Sequence, residues 1–196
     1  MNGLERQILL ALRSKDDLSD PLGPDWLQHA VVDLTSLGSH TVLALLVLSA
    51  AGLLIILRRR TDALWLVAMA AGAMLLNHGL KAFFARARPE VVGHLVDVVT
   101  SSFPSGHALL SAAVYLTLAL LIGREVARPA ARRWLFGLAV LLTLLIGSSR
   151  VYLGVHWPSD VLGGWLIGSL WAWAWAWARG WSRLRRVDIV VSDAGP

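Results

Sequence analysis

The stretch "SSFPSGHALLSAAVYLTLALLIG", residues 101–123, joins a polar opening to a long apolar run. No charged residue occurs between positions 98 and 123. A transmembrane helix needs about 20 predominantly apolar residues, so this run predicts a span over residues 105–123. Its first residues are unusual for a span, because Ser105, Gly106 and His107 stand where the chain enters the apolar run. The rest of the chain has to explain them.

The composition is that of a membrane protein with a single domain. Of 196 residues, 56% are hydrophobic and 16% are charged, against about 25% charged residues in an ordinary soluble domain. The absence of cysteine excludes disulfides and thiolate metal sites. The isoelectric point near 10.7 does not indicate a nucleic-acid partner, because the basic residues lie between apolar runs. Residues 1–40 carry charges of both signs and lack the apolar core of a signal peptide.

Charge-free runs predict an all-α, polytopic membrane helix bundle. Five transmembrane helices are expected at about 41–58, 63–82, 105–123, 134–151 and 160–178. "LERQILLALR", residues 4–13, has one apolar helical face, which is typical of an interfacial helix. We therefore divide the chain into an N-terminal interfacial segment (1–40), a transmembrane domain (41–186) and a C-terminal tail (187–196).

The basic residues predict the orientation. Eleven of the eighteen follow the first, third and fifth spans: Arg58, Arg59, Arg60, Arg124, Arg128, Arg132, Arg133, Arg179, Arg183, Arg185 and Arg186. Alternating helices place all eleven on one side, which the positive-inside rule makes cytoplasmic. Residues 1–40, with six acidic and three basic residues, suit the other side. Four cations fall at the outer helix ends against this rule: Lys81, Arg86, Arg88 and Arg150.

Three polar clusters contain these cations or lie beside them on the same predicted membrane face. They are "KAFFARARP" (81–89), "FPSGH" (103–107) and "SRVYLGVHWPSD" (149–160). A multiply charged anion can be surrounded by Lys81, Arg88 and Arg150. The planar guanidinium of arginine can donate two parallel hydrogen bonds to two phosphate oxygens. Ser105 and Gly106 begin a helix whose free N–H groups and dipole favour the same anion. The clusters therefore predict a phosphate site, which explains the polar opening of the third span.

Two histidines and a carboxylate complete the predicted site. His156 and Asp160 are four residues apart, so a helical turn or compact loop lets the carboxylate hold the imidazole in one tautomer. A histidine oriented in this way is a candidate nucleophile or base. His107 is then the candidate acid for a departing oxygen.

The three clusters together resemble the signature of the type 2 phosphatidic acid phosphatase (PAP2) superfamily. The pattern is Lys, six residues, Arg-Pro; then Pro-Ser-Gly-His; then Ser-Arg, five residues, His, three residues, Asp. Every fixed position from Lys81 to Asp160 is present. The resemblance implies a bacterial inner-membrane lipid phosphatase, and the charge pattern places its site on the periplasmic side. Many bacterial members have six spans, and here the N-terminal segment stands where the additional span would be.

The resemblance also implies a role for each matched residue. Phosphate would be bound by Lys81, Arg88, Ser105, the Gly106 N–H group and Arg150. His156 would attack phosphorus to form a phosphohistidine, Asp160 would orient it, and His107 would protonate the leaving oxygen. No metal or cofactor is implied. The candidate substrates are phosphatidic acid, phosphatidylglycerol phosphate and undecaprenyl diphosphate, and the oligomeric state is left open.

Other interpretations remain open at this point. A catalytically inactive scaffold of the same fold would be favoured by a missing motif residue, and none is missing. A transporter or channel would show broken spans in paired repeats, and the sequence shows no convincing repeat. Arg86, outside the signature, is expected to have a surface or headgroup role, and His94 and Asp97 to be ordinary loop residues. The run "WAWAWAWA" (171–178) is expected to form an aromatic belt at the cytoplasmic interface.

Overall fold

A computed structural model describes residues 3–180 of the chain, and within them it consists of α-helices without a strand. The helices are α1 (Gly3–Leu10), α2 (Asp25–Ser36), α3 (His40–Ile56), α4 (Arg60–Phe84), α5 (Gly106–Gly123), α6 (Pro129–Tyr152) and α7 (Pro158–Ala178). The predicted basic residues Arg183, Arg185 and Arg186 and the tail 187–196 lie outside the described residues.

The prediction of an all-α membrane bundle is confirmed, and helices α3 to α7 occupy the five predicted positions. In the described part, α4, α5 and α6 are each long and apolar enough to cross a membrane. Helices α2 and α3 could make a fourth, broken span, because they meet at a 46° bend. Helix α3 alone has 17 residues, and the tryptophans of α7 lower its mean hydropathy. The number of five spans therefore stays a prediction.

Helix α5 forms the centre of the bundle. Thirteen of its residues are buried, and it packs most extensively against α6 and α7. A helix enclosed on all sides needs apolar residues around its whole circumference. This explains why residues 108–122 show no polar face, and it places the N-terminus of α5 within reach of both neighbouring helices.

Two glycines allow α7 to approach α5 closely. A Cβ atom at Gly168 would lie 2.2 Å from the carbonyl oxygen of Leu109, and one at Gly164 would lie 2.8 Å from that of Ser105. Small residues four apart are a common way to bring two membrane helices into backbone contact. Because Gly164 is one turn beyond Asp160, this contact fixes the start of α7 beside the start of α5.

The tryptophan–alanine run divides into three faces of α7. Ala172 and Ala176 are buried and continue the small face begun by the two glycines. Trp171 turns inward, where its indole N–H donates to the Met69 carbonyl at 3.0 Å. Trp173 and Trp177 are 61% and 64% exposed, as expected for side chains of a membrane belt.

The N-terminal segment packs against the end of the bundle that carries the polar clusters. Leu9 of α1 is fully buried in a small cluster with Val92 and Trp157. Arg13, which is only 2% exposed, donates from Nη1 to the Tyr152 carbonyl at 2.9 Å. The segment therefore contacts the connections that enter α5 and α7.

Candidate active site

The three predicted clusters meet at one end of the bundle, where α4 and α6 end and α5 and α7 begin. Gly154 redirects the chain between α6 and α7, with φ at +76°, a conformation that favours glycine. A Cβ atom there would lie 2.7 Å from Arg13 Nη2 and 2.8 Å from the Gly93 carbonyl oxygen. This tight turn folds His156 back over the start of α7.

His156 is buried between a cation and a carboxylate. Its Nε2 lies 3.3 Å from Arg88 Nη1, and its Nδ1 lies 3.5 Å from Asp160 Oδ2. The hydroxyl of Ser102 donates to Asp160 Oδ2 and lies 3.4 Å from Nδ1. Nδ1–H can therefore donate to Ser102, which leaves the lone pair of Nε2 on the side of Arg88. The sequence paired His156 with Asp160 but gave no signal for Ser102.

The imidazole of His156 is neutral at physiological pH. Burial, aided by the positive charges of Arg88 and Arg150, lowers the pKa of His156 to about 4, although the contact with Asp160 opposes the change. A neutral imidazole keeps a lone pair on one ring nitrogen, which nucleophilic attack requires.

Asp160 is fully buried and has several partners. The Trp157 N–H donates to Oδ2 at 2.9 Å, and Arg86 Nη1 donates to Oδ1 at 2.6 Å. The surface or headgroup role expected for Arg86 is therefore wrong, because its guanidinium is committed to the carboxylate beside His156. The sequence could not show this contact, since the two residues are 74 positions apart.

The three predicted cations converge around the same space. Lys81 lies within electrostatic range of Arg88, Arg150 and Asp160. Its Nζ donates to the Ser101 carbonyl, and Arg88 Nη1 donates to the Val155 carbonyl at 2.6 Å. Like charges gathered in this way repel one another unless an anion lies among them, so the cluster is suited to a phosphate group.

Arg150 approaches this cluster from the end of α6 and is 4% exposed. Its Nη1 donates to Thr35 Oγ1 of α2 at 3.1 Å. Its Nε is buried without a hydrogen-bond partner among the described residues. A buried guanidinium N–H without a partner is costly, and an anion would satisfy it.

Ser105 and Gly106 begin α5 as predicted. The Ser105 N–H donates to the Asp160 carbonyl at 3.0 Å, which joins the second cluster to the third. Ser105 Oγ is buried and has no hydrogen-bond partner in residues 3–180. A Cβ atom at Gly106 would lie 3.2 Å from Nδ2 of Asn77, a buried amide that the sequence analysis missed.

His107 is the second residue of α5, within electrostatic range of His156 and Arg150. The structure therefore brings it to the same site as the predicted nucleophile. His94, in contrast, contacts the Pro89 carbonyl through Nε2 at 2.6 Å, so it belongs to the loop between α4 and α5. The whole arrangement is suited to binding a tetrahedral anion and attacking it from the imidazole side.

Comparisons with known proteins agree with this geometry. Residues 62–184 match the family model described as the PAP2 superfamily. The chain is 35% identical to phosphatidylglycerophosphatase B of Bacillus subtilis over 147 residues, which cover 74% of this chain and 71% of the relative. It is 36% identical to an undecaprenyl-diphosphatase of Sulfolobus acidocaldarius, over 60% of this chain and 55% of that protein.

A solved structure has the same fold. The crystal structure of a transmembrane PAP2 type phosphatidylglycerolphosphate phosphatase from Bacillus subtilis superposes with a TM-score of 0.83 at 28% sequence identity. The match covers 94% of this chain and 87% of that one.

Proposed function

The chain belongs to the PAP2 superfamily, and we propose that it is a membrane lipid phosphatase that works through a phosphohistidine. The observation that carries the proposal is the setting of His156. Its Nε2 faces Arg88 at 3.3 Å, while its Nδ1 is backed by Ser102 and Asp160.

In the first step, the phosphate group of the lipid lies among Lys81, Arg88 and Arg150. The Nε2 lone pair of His156 attacks phosphorus, so that an N–P bond forms as the bond to the lipid oxygen breaks. The imidazole gains positive charge during this step, and the buried Asp160 carboxylate stabilises it. The three cations and the N–H groups at the start of α5 stabilise the charge on the phosphoryl oxygens.

His107 handles the protons in both steps. In the first, it gives a proton to the lipid oxygen, which leaves as an alcohol or, from a diphosphate, as a monophosphate. In the second, it takes a proton from the attacking water. Breaking the N–P bond then releases inorganic phosphate and regenerates neutral His156.

A lipid substrate is supported by an apolar groove that includes His40, a residue within electrostatic range of Lys81 and His107. The groove is a cavity of about 220 Å³ between α3, α4 and α5, and His40 lies at its outer end. Its other lining residues are apolar: Leu43, Ala44, Val47, Leu48, Val67, Ala70, Ala71, Met74, Leu110 and Val114. The candidate substrates are phosphatidic acid, phosphatidylglycerol phosphate and undecaprenyl diphosphate. The second and third correspond to the names of two relatives, a phosphatidylglycerophosphatase and an undecaprenyl-diphosphatase.

We place the protein in the bacterial inner membrane with the site on the periplasmic side. The reason is the charge pattern, which puts the arginine-rich connections at the opposite end of the bundle. Phosphate at this site is therefore released outside the cytoplasm.

The test is phosphate release by the purified protein from the three candidate lipids in detergent. We expect release from at least one, and its loss in His156→Ala. The absence of release from all three would favour the inactive scaffold. Undiminished release by His156→Ala would exclude this histidine as the nucleophile.

A further inference from the structure

A residue outside the PAP2 signature holds the carboxylate behind His156. Asp160 is fully buried and pairs with Arg86 at 2.6 Å. A buried carboxylate is unfavourable unless a cation or hydrogen bonds compensate it. Lys81, Arg88 and Arg150 converge on the phosphate space instead, so Arg86 supplies the direct ion pair.

Arg86 is itself fixed from two further directions. Its Nη2 pairs with Glu5 of α1 at 3.1 Å. Its guanidinium carbon lies 5.8 Å from the ring centroid of Trp157, which gives a cation–π contact. The planar guanidinium thus spans two carboxylates, one from α1 and one from α7, in a single orientation.

Glu5 also fixes the residue next to Asp160. Its Oε1 accepts the Ser159 N–H at 3.1 Å and the Ser159 hydroxyl. Burial opposes ionisation of Glu5, but the hydrogen bonds from Ser159 and the charge of Arg86 outweigh it and lower the pKa of Glu5. Glu5 is therefore an anion at the N-terminus of α7, where the helix dipole also favours one.

We propose that Glu5 and Arg86 are positioning residues that clamp Asp160 behind His156, so that α1 is part of the catalytic apparatus. The inference rests on the proposed function. The clamp acts on phosphoryl transfer because Asp160 stabilises the charge that His156 gains during attack. Its removal leaves the phosphate-binding cations untouched, so it lowers kcat and not the affinity for substrate.

The experiment compares Arg86→Gln, Arg86→Lys and Glu5→Gln with two matched controls. Arg6→Gln removes an exposed cation from α1, the helix that carries Glu5, and Glu90→Gln removes an exposed carboxylate from the loop before α5. The measurements are kcat, KM and inhibition by inorganic phosphate, which probes the cations without a bond to His156, together with the thermal unfolding of each purified variant.

We expect Arg86→Gln to lower kcat about ten- to a hundred-fold, as for loss of one hydrogen-bonded charge. Glu5→Gln should lower kcat about three- to ten-fold, because an amide still accepts from Ser159 but no longer pairs with Arg86 as a charge. Arg86→Lys, which keeps the charge, should retain clearly more kcat than Arg86→Gln. KM and inhibition by inorganic phosphate should stay close to wild type in all three, and both controls should behave like wild type.

Unchanged kcat in folded Arg86→Gln and Glu5→Gln overturns the clamp. So does a loss in which KM, phosphate inhibition and unfolding change together and lysine restores nothing, because that pattern indicates a purely structural ion pair. If Arg86→Gln does not fold, Arg86→Lys and Glu5→Gln decide by the same criteria. A wild type that releases no phosphate overturns the proposed function and the clamp together, whereas an active wild type with unaffected variants overturns the clamp alone.

Discussion

The position of the Ser102 hydroxyl allows a quantitative prediction about the pair formed by His156 and Asp160. His156 Nδ1 and Asp160 Oδ2 are 3.5 Å apart, too far for a strong hydrogen bond. Ser102 donates to the carboxylate and lies 3.4 Å from Nδ1. Ser102→Ala removes this bridge, and a hydrogen bond to a charged group contributes about 1.5–3 kcal/mol. We therefore expect kcat to fall by about one to two orders of magnitude.

The neighbouring Ser101 provides the matched control. Its hydroxyl donates to the Lys81 carbonyl at 2.8 Å and does not touch the histidine–aspartate pair, so Ser101→Ala should retain near-wild-type kcat. The assay is steady-state phosphate release, with Asp160→Asn measured as the upper limit of the effect. Wild-type kcat in Ser102→Ala, alongside a severe loss in Asp160→Asn, would show that the direct contact suffices and would refute the bridging role.

Three further predictions concern the nucleophile, the phosphate cradle and the topology. His156→Ala should abolish phosphate release, while EDTA should leave the wild type active. The acid limb of kcat/KM should lie near pH 4, because protonation of His156 (pKa about 4) removes its lone pair. Inactivation by EDTA that zinc reverses, or an acid limb near pH 6.5, would contradict this. Gly106→Val should lose activity and vanadate inhibition, because its side chain would press against the buried amide of Asn77. Ser105→Ala should lower kcat by only about one to two orders of magnitude. An inactive Ser105→Ala together with an active Gly106→Val would exclude the backbone cradle. Reporters inserted at residues 92–95 and 125–128 should read periplasmic and cytoplasmic respectively, and the opposite result would reverse the orientation.

The sequence predicted the helices and the pairing of His156 with Asp160, because both leave local signals. An apolar run reports a span whatever surrounds it, and the positions of α3 to α7 followed from this alone. His156 and Asp160 are close in sequence, so one short turn brings them together. The number of spans was harder, because α3 is short and the tryptophans of α7 obscure its hydropathy.

The supporting residues left no such signal, because their partners are remote in the chain. Arg86 and Asp160 are 74 positions apart, and Thr35 and Arg150 are 115 apart. Polar residues at the end of a membrane helix usually meet headgroups or water, and this expectation led to the wrong role for Arg86. Only the folded bundle shows which of them turn inward.

The difference between α1 and an ordinary interfacial helix illustrates how far the site extends. An amphipathic helix at a membrane surface needs only an apolar face and a polar face, and residues 4–13 satisfy that description. Glu5, on that helix, nevertheless reaches an arginine and the start of α7, while Leu9 packs in a cluster with Trp157. Because Trp157 follows His156 directly and its N–H binds Asp160, a displacement of α1 would reach the proposed nucleophile and its carboxylate together. The contacts of Glu5 and Leu9 therefore hold α1 against the bundle in addition to any contact with lipid. We expect the loss of these contacts to lower the rate of phosphoryl transfer.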